Sequence, residues 1–434
     1  MAQTTTTGPL DPLAEPTRRV GAGFIAILAL TNLGIWTAFF TPIQFLLPLQ
    51  VEAIVGNDGK ESSLGIVVAV GALVSLIASP IAGALSDRTS SRLGRRRPWV
   101  LWPTVAAVAV LLVMGGVTAI GGLVLGWALA QLTLNASYAA VTAILPDQVP
   151  VGQRGTVSAV VGACQPLGVI LGSVIATAIP GDNNSATGQS TRYMVVAVVT
   201  LLTAALFVFG MKGDAQLDKS RIEPLKMGEF IKGFWVSPKE HPDFAWVWIT
   251  RFLVILGTAF VTSYLLYFTR DVLGKSPDEA GDTVAGILQF YIIALLVFAL
   301  ITGPISDKVG RIKIFVIIAS ITCAVSMLIL AFARTEGVAT IAAIIMGAGF
   351  GAYTAVDLAL ISRVLPNAED RARDLGVINI ANALPQVLAP LIASVLITSL
   401  KTDTYFVAYQ VLYLTAAVVT ILGAVLVVKI KSVP

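Results

Sequence analysis

Twelve apolar runs, each long enough to cross a lipid bilayer, leave this chain few ways to fold. A helix needs about 20 residues to span the hydrocarbon core. Runs of that kind lie near 21–47, 64–86, 98–118, 121–145, 155–179, 193–211, 244–268, 284–305, 312–333, 338–362, 375–399 and 405–429. Lipid offers no hydrogen-bond partners to the backbone, so spans of this length are helices. Only 12% of the 434 residues are charged, against about a quarter in soluble domains. The surface of a soluble protein of this length is missing, and the pattern predicts an all-α membrane protein.

The charge is small in sum and sorted in space. A net charge of +4 gives no reason to expect nucleic acid as a partner. With the N-terminus placed in the cytoplasm, 22 of the 29 Lys and Arg fall in cytoplasmic segments. Six fall outside (Lys60, Arg192, Arg270, Lys275, Arg334, Lys401) and one, Arg251, lies within a span. That asymmetry is the positive-inside rule. It predicts an integral protein of the plasma (cell) membrane with both termini cytoplasmic. Arg18 and Arg19 precede the first span as they would in a signal peptide, but the span is too long and eleven follow it, so it reads as an uncleaved helix. Cys164 and Cys323 sit inside spans and read as packing residues, and the single histidine, His241, lies in the central loop. No metal site is expected. HExxH, GxSxG and P-loop patterns are absent, so the chain does not read as an enzyme, and uphill work would draw on an ion gradient.

The chain repeats itself. Residues 83–87 read GALSD and residues 303–307 read GPISD, an offset of 220. Residues 153–168, QRGTVSAVVGACQPLG, line up with 372–387 at an offset of 219, which puts Pro166 on Pro385. Two distant matches at nearly one offset indicate duplication into two six-span halves. The expected divisions are a tail at 1–19, an N-terminal half at 20–211, a central cytoplasmic loop at 212–243, a C-terminal half at 244–430 and a tail at 431–434. Within the central loop, Ile222, Leu225, Phe230 and Phe234 recur at near-helical spacing, as in a helix lying on the membrane surface.

The paired loops after spans two and eight, with Asp87, Arg88, Gly94 and Arg95 in one and Asp307, Lys308, Gly310 and Arg311 in the other, resemble the signature of the major facilitator superfamily. The longer first loop, ending Arg-Arg-Arg-Pro-Trp, resembles the glycoside–pentoside–hexuronide:cation symporters and the plant-type sucrose transporters. The resemblance implies two pseudo-symmetric six-helix halves that rock about a central cavity lined by helices one, four, seven and ten. It also implies a cytoplasmic gate. Asp87 and Asp307 would each face the start of a helix in the opposite half, where free N–H groups favour a carboxylate. Arg154 and Arg373 are their candidate partners.

Charges inside spans are functional candidates by default. Arg251 lies eight residues beyond Asp243 and Asp357 nine before Pro366. At 1.5 Å per residue that is roughly 12 Å and 13 Å from the same side of the membrane. The two are expected at similar depth, as a proton-coupling pair. A sodium site of clustered carboxylates is less favoured, because spans two to six hold no acidic residue in their interiors. Polar and aromatic residues form helical stripes: Asn32, Trp36 and Phe40; Gln131, Asn135 and Tyr138; Phe350, Tyr353 and Asp357; Asn379, Asn382 and Gln386. Tyr264, near the outer end of span seven, is grouped with them. Amides bond hydroxyls and aromatic rings stack on sugar faces, so an uncharged polyol suits these stripes. Interhelical hydrogen bonding is their plain structural reading. GxxxG pairs such as Gly168/Gly172 and Gly347/Gly351 read as sites of close helix packing.

The expectation is a monomeric secondary transporter that takes up a sugar or glycoside with protons by alternating access, without a cofactor. The alternative is a proton-driven exporter (antiporter) of drugs or small metabolites.

Overall fold

Helix follows helix, and each turns back across the same slab. The computed structural model describes residues 16–211, 228, 237–364, 371–400 and 405–432. Among them, twelve helices are long and apolar enough to cross a membrane. The N-terminal half contains α1 (Ala22–Val55), α2 (Lys60–Asp87), α3 (Arg97–Met114), α4 (Ile120–Gln148), α5 (Val151–Ala178) and α6 (Ser190–Gly210). The C-terminal half contains α7 (Pro242–Ser263), α8 (Pro277–Val309), α9 (Ile312–Ala331), α10 (Glu336–Val364), α11 (Arg371–Leu400) and α12 (Phe406–Leu426). Ile222, Leu225, Phe230 and Phe234, which carry the surface-helix reading, lie outside the described residues.

The duplication is visible in the packing. In the first half α2 packs on α4, α3 on α4 and α6, and α1 on α5 and α6. In the second, α8 packs on α10, α9 on α10 and α12, and α7 on α11 and α12. The pairing is the same with every helix number raised by six. The halves meet through α2 against α11 and α5 against α8. Close approach needs small residues. A methyl added at Gly168 would lie 2.7 Å from Trp36 Cβ, and one at Gly65 would lie 2.9 Å from Ser394 Cβ. Large apolar side chains point outward as lipid-facing groups do, with Phe209 85% and Leu300 76% exposed.

Local chemistry sets the helix ends. Ser276 caps α8 in a reciprocal capping box with Glu279, with Pro277 at the first helical position. Gly94 (φ 98°) and Gly310 (φ 71°) hold left-handed backbone at matched places in the two repeated loops, a conformation that side chains other than glycine resist.

The first helix of each half is broken. In α1, Pro42–Leu46 form a π-helical turn, closed by Leu47 N–H on the Pro42 carbonyl. Pro42 and Pro48 bracket it and remove two backbone donors. Helix α7 stops at Ser263, turns at Tyr264 and resumes as Leu265–Asp271. Gln44 and Tyr264 are 220 residues apart, so the two breaks occupy equivalent positions.

Candidate functional site

Three polar layers cross the molecule. The end where Val20 meets Gln153 and Ser432 meets Asp243 is called the terminal end, and the other the distal end.

The middle layer contains the predicted intramembrane charges. Arg251 on α7 and Asp357 on α10 form an ion pair, with side chains 11% and 5% exposed. Arg251 Nε also donates to Asn382 Oδ1 on α11 at 3.0 Å. Tyr353, one turn before Asp357, is buried and stacks with Phe350. A buried pair of this kind holds because each charge compensates the other, and removing one partner leaves the other stranded. Asn32 and Tyr138 stand 219 residues before Arg251 and Asp357, at the equivalent places in the first half. There the chemistry is neutral. Asn32 is buried and donates to the Leu28 carbonyl of its own helix at 2.8 Å. Tyr138 meets Trp36 edge-on at 5.0 Å, joining α4 to α1, and Trp36 stacks on Phe40 at 5.5 Å. Asn135 donates to Gln131 Oε1 at 2.9 Å on the same face of α4. The Asn379 side chain lies outside the described residues.

The distal layer binds the two halves together. Glu52, at the end of α1, pairs with Arg270 beyond α7. Lys60, at the start of α2, lies 2.6 Å from Asp271 and 3.6 Å from Glu52. Lys60 is 1% exposed and sits over the Tyr267 ring. Tyr409 donates to the other Asp271 oxygen at 3.0 Å. Burial pulls the Arg270 guanidinium below its ordinary range, against the pull of Asp271. Hydroxyls complete the seam. Tyr264 Oη reaches the carbonyls of Glu61 and Pro390, both at 3.0 Å, and Tyr267 Oη donates to the Pro48 carbonyl at 2.9 Å. Asn183 donates to Asp278 at 2.9 Å. Tyr264, grouped with the substrate residues in the sequence, is thus committed to the seam between halves.

At the terminal end the described contacts of the arginine-rich loop run within its own half. Arg95 lies 2.6 Å and Arg96 2.8 Å from Asp147, at the end of α4. Arg96 also pairs with Asp87 at 2.5 Å and bonds Ser86. Burial disfavours the Arg96 charge, and Asp147 and Asp87 more than restore it. Arg88 donates to the Ala84 carbonyl at 2.9 Å and Arg154 to those of Val149 and Pro146. Lys308 and Arg311 are exposed. The side chains of Arg373 and Asp307 lie outside what the structure describes, and with them the second latch expected from the sequence.

With this geometry in view, comparison with known proteins is decisive at one level. The family model described as MFS/sugar transport protein matches residues 60–428. The chain belongs to this family of transporters within the major facilitator superfamily. Relatives at lower identity include multidrug resistance protein 2 of Bacillus subtilis (strain 168), 24% identical over 315 residues and 72% of each chain. The multidrug resistance protein MdtG of Dickeya zeae (strain Ech586) is 25% identical over 327 residues, 73% of this chain and 74% of that one. The nucleoside transporter NupG shares the fold, with a TM-score of 0.70 and 13% identity over 94% of this chain and 98% of its own. So does the human organic anion transporter MFSD10, with a TM-score of 0.66 and 18% identity over 93% and 99%.

Several residues of this transporter escaped sequence reasoning. Glu52, Lys60, Arg270 and Asp271 looked like ordinary charges at helix ends, although Glu52 and Asp271 share the repeat offset of 219. Asp147 anchors Arg95, a residue of the signature loop, together with Arg96. Gln44 continues the stripe of Asn32, Trp36 and Phe40 by four more residues. With Thr262 and Ser263 it lines a small space just beneath the distal seam.

Proposed function

We propose that this transporter carries a neutral sugar or glycoside into the cell, coupled to protons, by alternating access. The observation that carries the reading is the chemical asymmetry of the two halves. At equivalent positions the C-terminal half holds Arg251 and Asp357, and the N-terminal half holds Asn32 and Tyr138. The first can bind and release a proton. The second, with Trp36, Gln131 and Asn135 beside it, offers amides and aromatic faces without charge, which suits a polyol. The family description, which includes sugar transport, agrees with this.

In the proposed cycle the termini are cytoplasmic and the distal end faces outward. The described state then has its outer seam closed by the Glu52–Arg270 and Lys60–Asp271 pairs. Substrate leaves toward the cytoplasm. The carrier opens outward when those pairs part and the terminal loops engage, with Asp87 and Arg154 acting in that second gate. Protonation of Asp357 would release Arg251 to its remaining partner, Asn382, and so couple the proton to the shape of the cavity. The unit is a monomer in the plasma membrane and needs no cofactor beyond the proton gradient.

The names of the multidrug relatives favour a second reading, proton-driven export. One experiment separates them. Purified protein in proteoliposomes with a lumenal pH dye is challenged with mono- and disaccharides, and then with amphipathic cations. Symport predicts that one sugar acidifies the lumen with wild type and not with Asp357→Asn. Proton movement driven only by amphipathic cations would transfer the conclusion to export.

A further inference from the structure

The Lys60 ammonium is held as a bound ligand is held. It lies in a dry layer between the halves, with the residue 1% exposed, and lysine is almost never buried that far without partners. Its partners come from both halves. Asp271 Oδ1 is 2.6 Å away, Asn57 Oδ1 3.4 Å and Glu52 Oε1 3.6 Å. The Tyr267 ring centroid is 4.8 Å from the nitrogen and that of Tyr405 5.6 Å. Carboxylates beside aromatic faces recognise ammonium ions, since the ring quadrupole attracts the charge while the oxygens take the hydrogens.

The surrounding groups are committed so as to leave that place to an ammonium. Tyr409 donates to Asp271 Oδ2 at 3.0 Å, and Oδ1 is the oxygen that meets Lys60. Arg270 is taken by Glu52. Glu61, 1% exposed, adds a further carboxyl to the layer. The parts divide when the halves separate. Glu52 and Asn57 travel with Lys60 in the N-terminal half, while Asp271, Tyr267, Tyr405 and Tyr409 belong to the other. An opened seam therefore withdraws the ammonium and leaves a carboxylate flanked by aromatic faces toward the distal solution. Lys60 reaches the cage through an unbranched methylene stem. What the cage reads is thus a primary ammonium on a straight alkyl chain.

We propose that the distal seam is an ammonium site with Lys60 as its tethered ligand, and that in the outward-open carrier it takes free primary alkylammonium ions from the distal solution. A bound amine stands where Lys60 must return, so it holds the seam open. In a chain that lacks the lysine stem the same amine completes the cage and holds the seam closed, because only the closed form sets Glu52 and Asn57 opposite Asp271. A ligand shifts such an equilibrium only by binding one form better than the other, and here the favoured form depends on whether Lys60 is present. The inference uses the opening of the seam and does not depend on what the carrier moves.

The test places Leu64→Cys, 2% exposed beneath the seam, in the full chain and follows its labelling by a membrane-impermeant thiol reagent supplied from the distal side. Cys164 and Cys323 are buried and do not compete. n-Propylammonium supplies what Lys60→Ala removes, the outer stem and the ammonium. Its effect should have opposite signs in two backgrounds. With Lys60 present it competes with the lysine, and at about ten times its dissociation constant should raise labelling about tenfold. In Lys60→Ala, where labelling starts fast, it should lower the rate several-fold. Lys60→Met fills the same space with its own side chain and should show no such fall. n-Propanol, which has the shape without the charge, and sodium chloride at equal ionic strength should change neither background. If Lys60→Ala fails to insert, the titration with Lys60 present decides against these two controls. A change of the same sign in both backgrounds, no change in either, or an equal effect of propanol would overturn the site.

Discussion

Lys60→Met is the most informative single change at the distal seam. The Lys60 ammonium is 1% exposed, lies 2.6 Å from Asp271 and 3.6 Å from Glu52, and sits over the Tyr267 ring. Lys60 and Arg270 set two cations against Glu52 and Asp271, with the buried Glu61 carboxyl beside them. Removing Lys60 takes one cation away from the carboxylates buried between the halves. Breaking a buried pair in this way costs about 3–5 kcal/mol. In the outward-open form the same carboxylates meet water, and the cost largely disappears. The closed seam is therefore the state that loses stability. At 1.4 kcal/mol per decade, even the lower figure shifts the equilibrium about a hundredfold toward opening. Leu64→Cys reports this shift, since Leu64 is 2% exposed beneath the seam. A membrane-impermeant thiol reagent added from the distal side should label it about a hundredfold faster in the Lys60→Met background. Lys60→Met/Asp271→Leu restores the wild-type balance of charge at the seam and should return labelling toward the wild-type rate. Unchanged labelling in the single variant, or no recovery in the double, would refute the charge argument.

Other consequences are as specific. Asp357→Asn should abolish sugar-driven proton movement while sparing sugar exchange, measured as lumenal pH and as counterflow in the same vesicles. Asp147→Asn should lower the thermal unfolding midpoint in detergent, because Arg95 and Arg96, with side chains 9% and 4% exposed, lose their shared partner; an unchanged midpoint would remove Asp147 from any anchoring role. Gly310→Ala should destabilise by about 1–2 kcal/mol through its left-handed backbone at φ 71°, read as a lower midpoint. Gly83→Ala, where an added methyl meets nothing within 4 Å, is the control and should leave the midpoint almost unmoved.

The architecture was legible because lipid enforces it. Apolar runs of span length and a repeat offset of 219 to 220 are properties of the chain alone, and they led directly to twelve helices in two equivalent halves. The similar depth of Arg251 and Asp357 followed from counting residues, while their direct pairing shows only in the structure. What stayed hidden depends on the halves meeting. Lys60 and Arg270 look like solvated helix-end charges until α1, α2 and the segment after α7 converge and bury them. Tyr264 matched a cavity residue by type and position, yet its hydroxyl closes the seam. Gln44 falls on a visible stripe, but it sits in a π-turn bracketed by Pro42 and Pro48, which a 3.6-residue period does not register.

The pairing of Arg251 with Asp357 has an electrical corollary. While both are ionised, the pair is neutral and its movement through the membrane field does no work. In the proposed cycle a proton on Asp357 leaves the Arg251 charge uncompensated. Voltage then acts on the carrier with up to about 2.3 kcal/mol per 100 mV, scaled by the fraction of the field the charge crosses. The N-terminal half, with Asn32 and Tyr138 in the equivalent places, gives the field no such handle. Membrane voltage would therefore drive the loaded carrier through its C-terminal half and leave the empty one free to return.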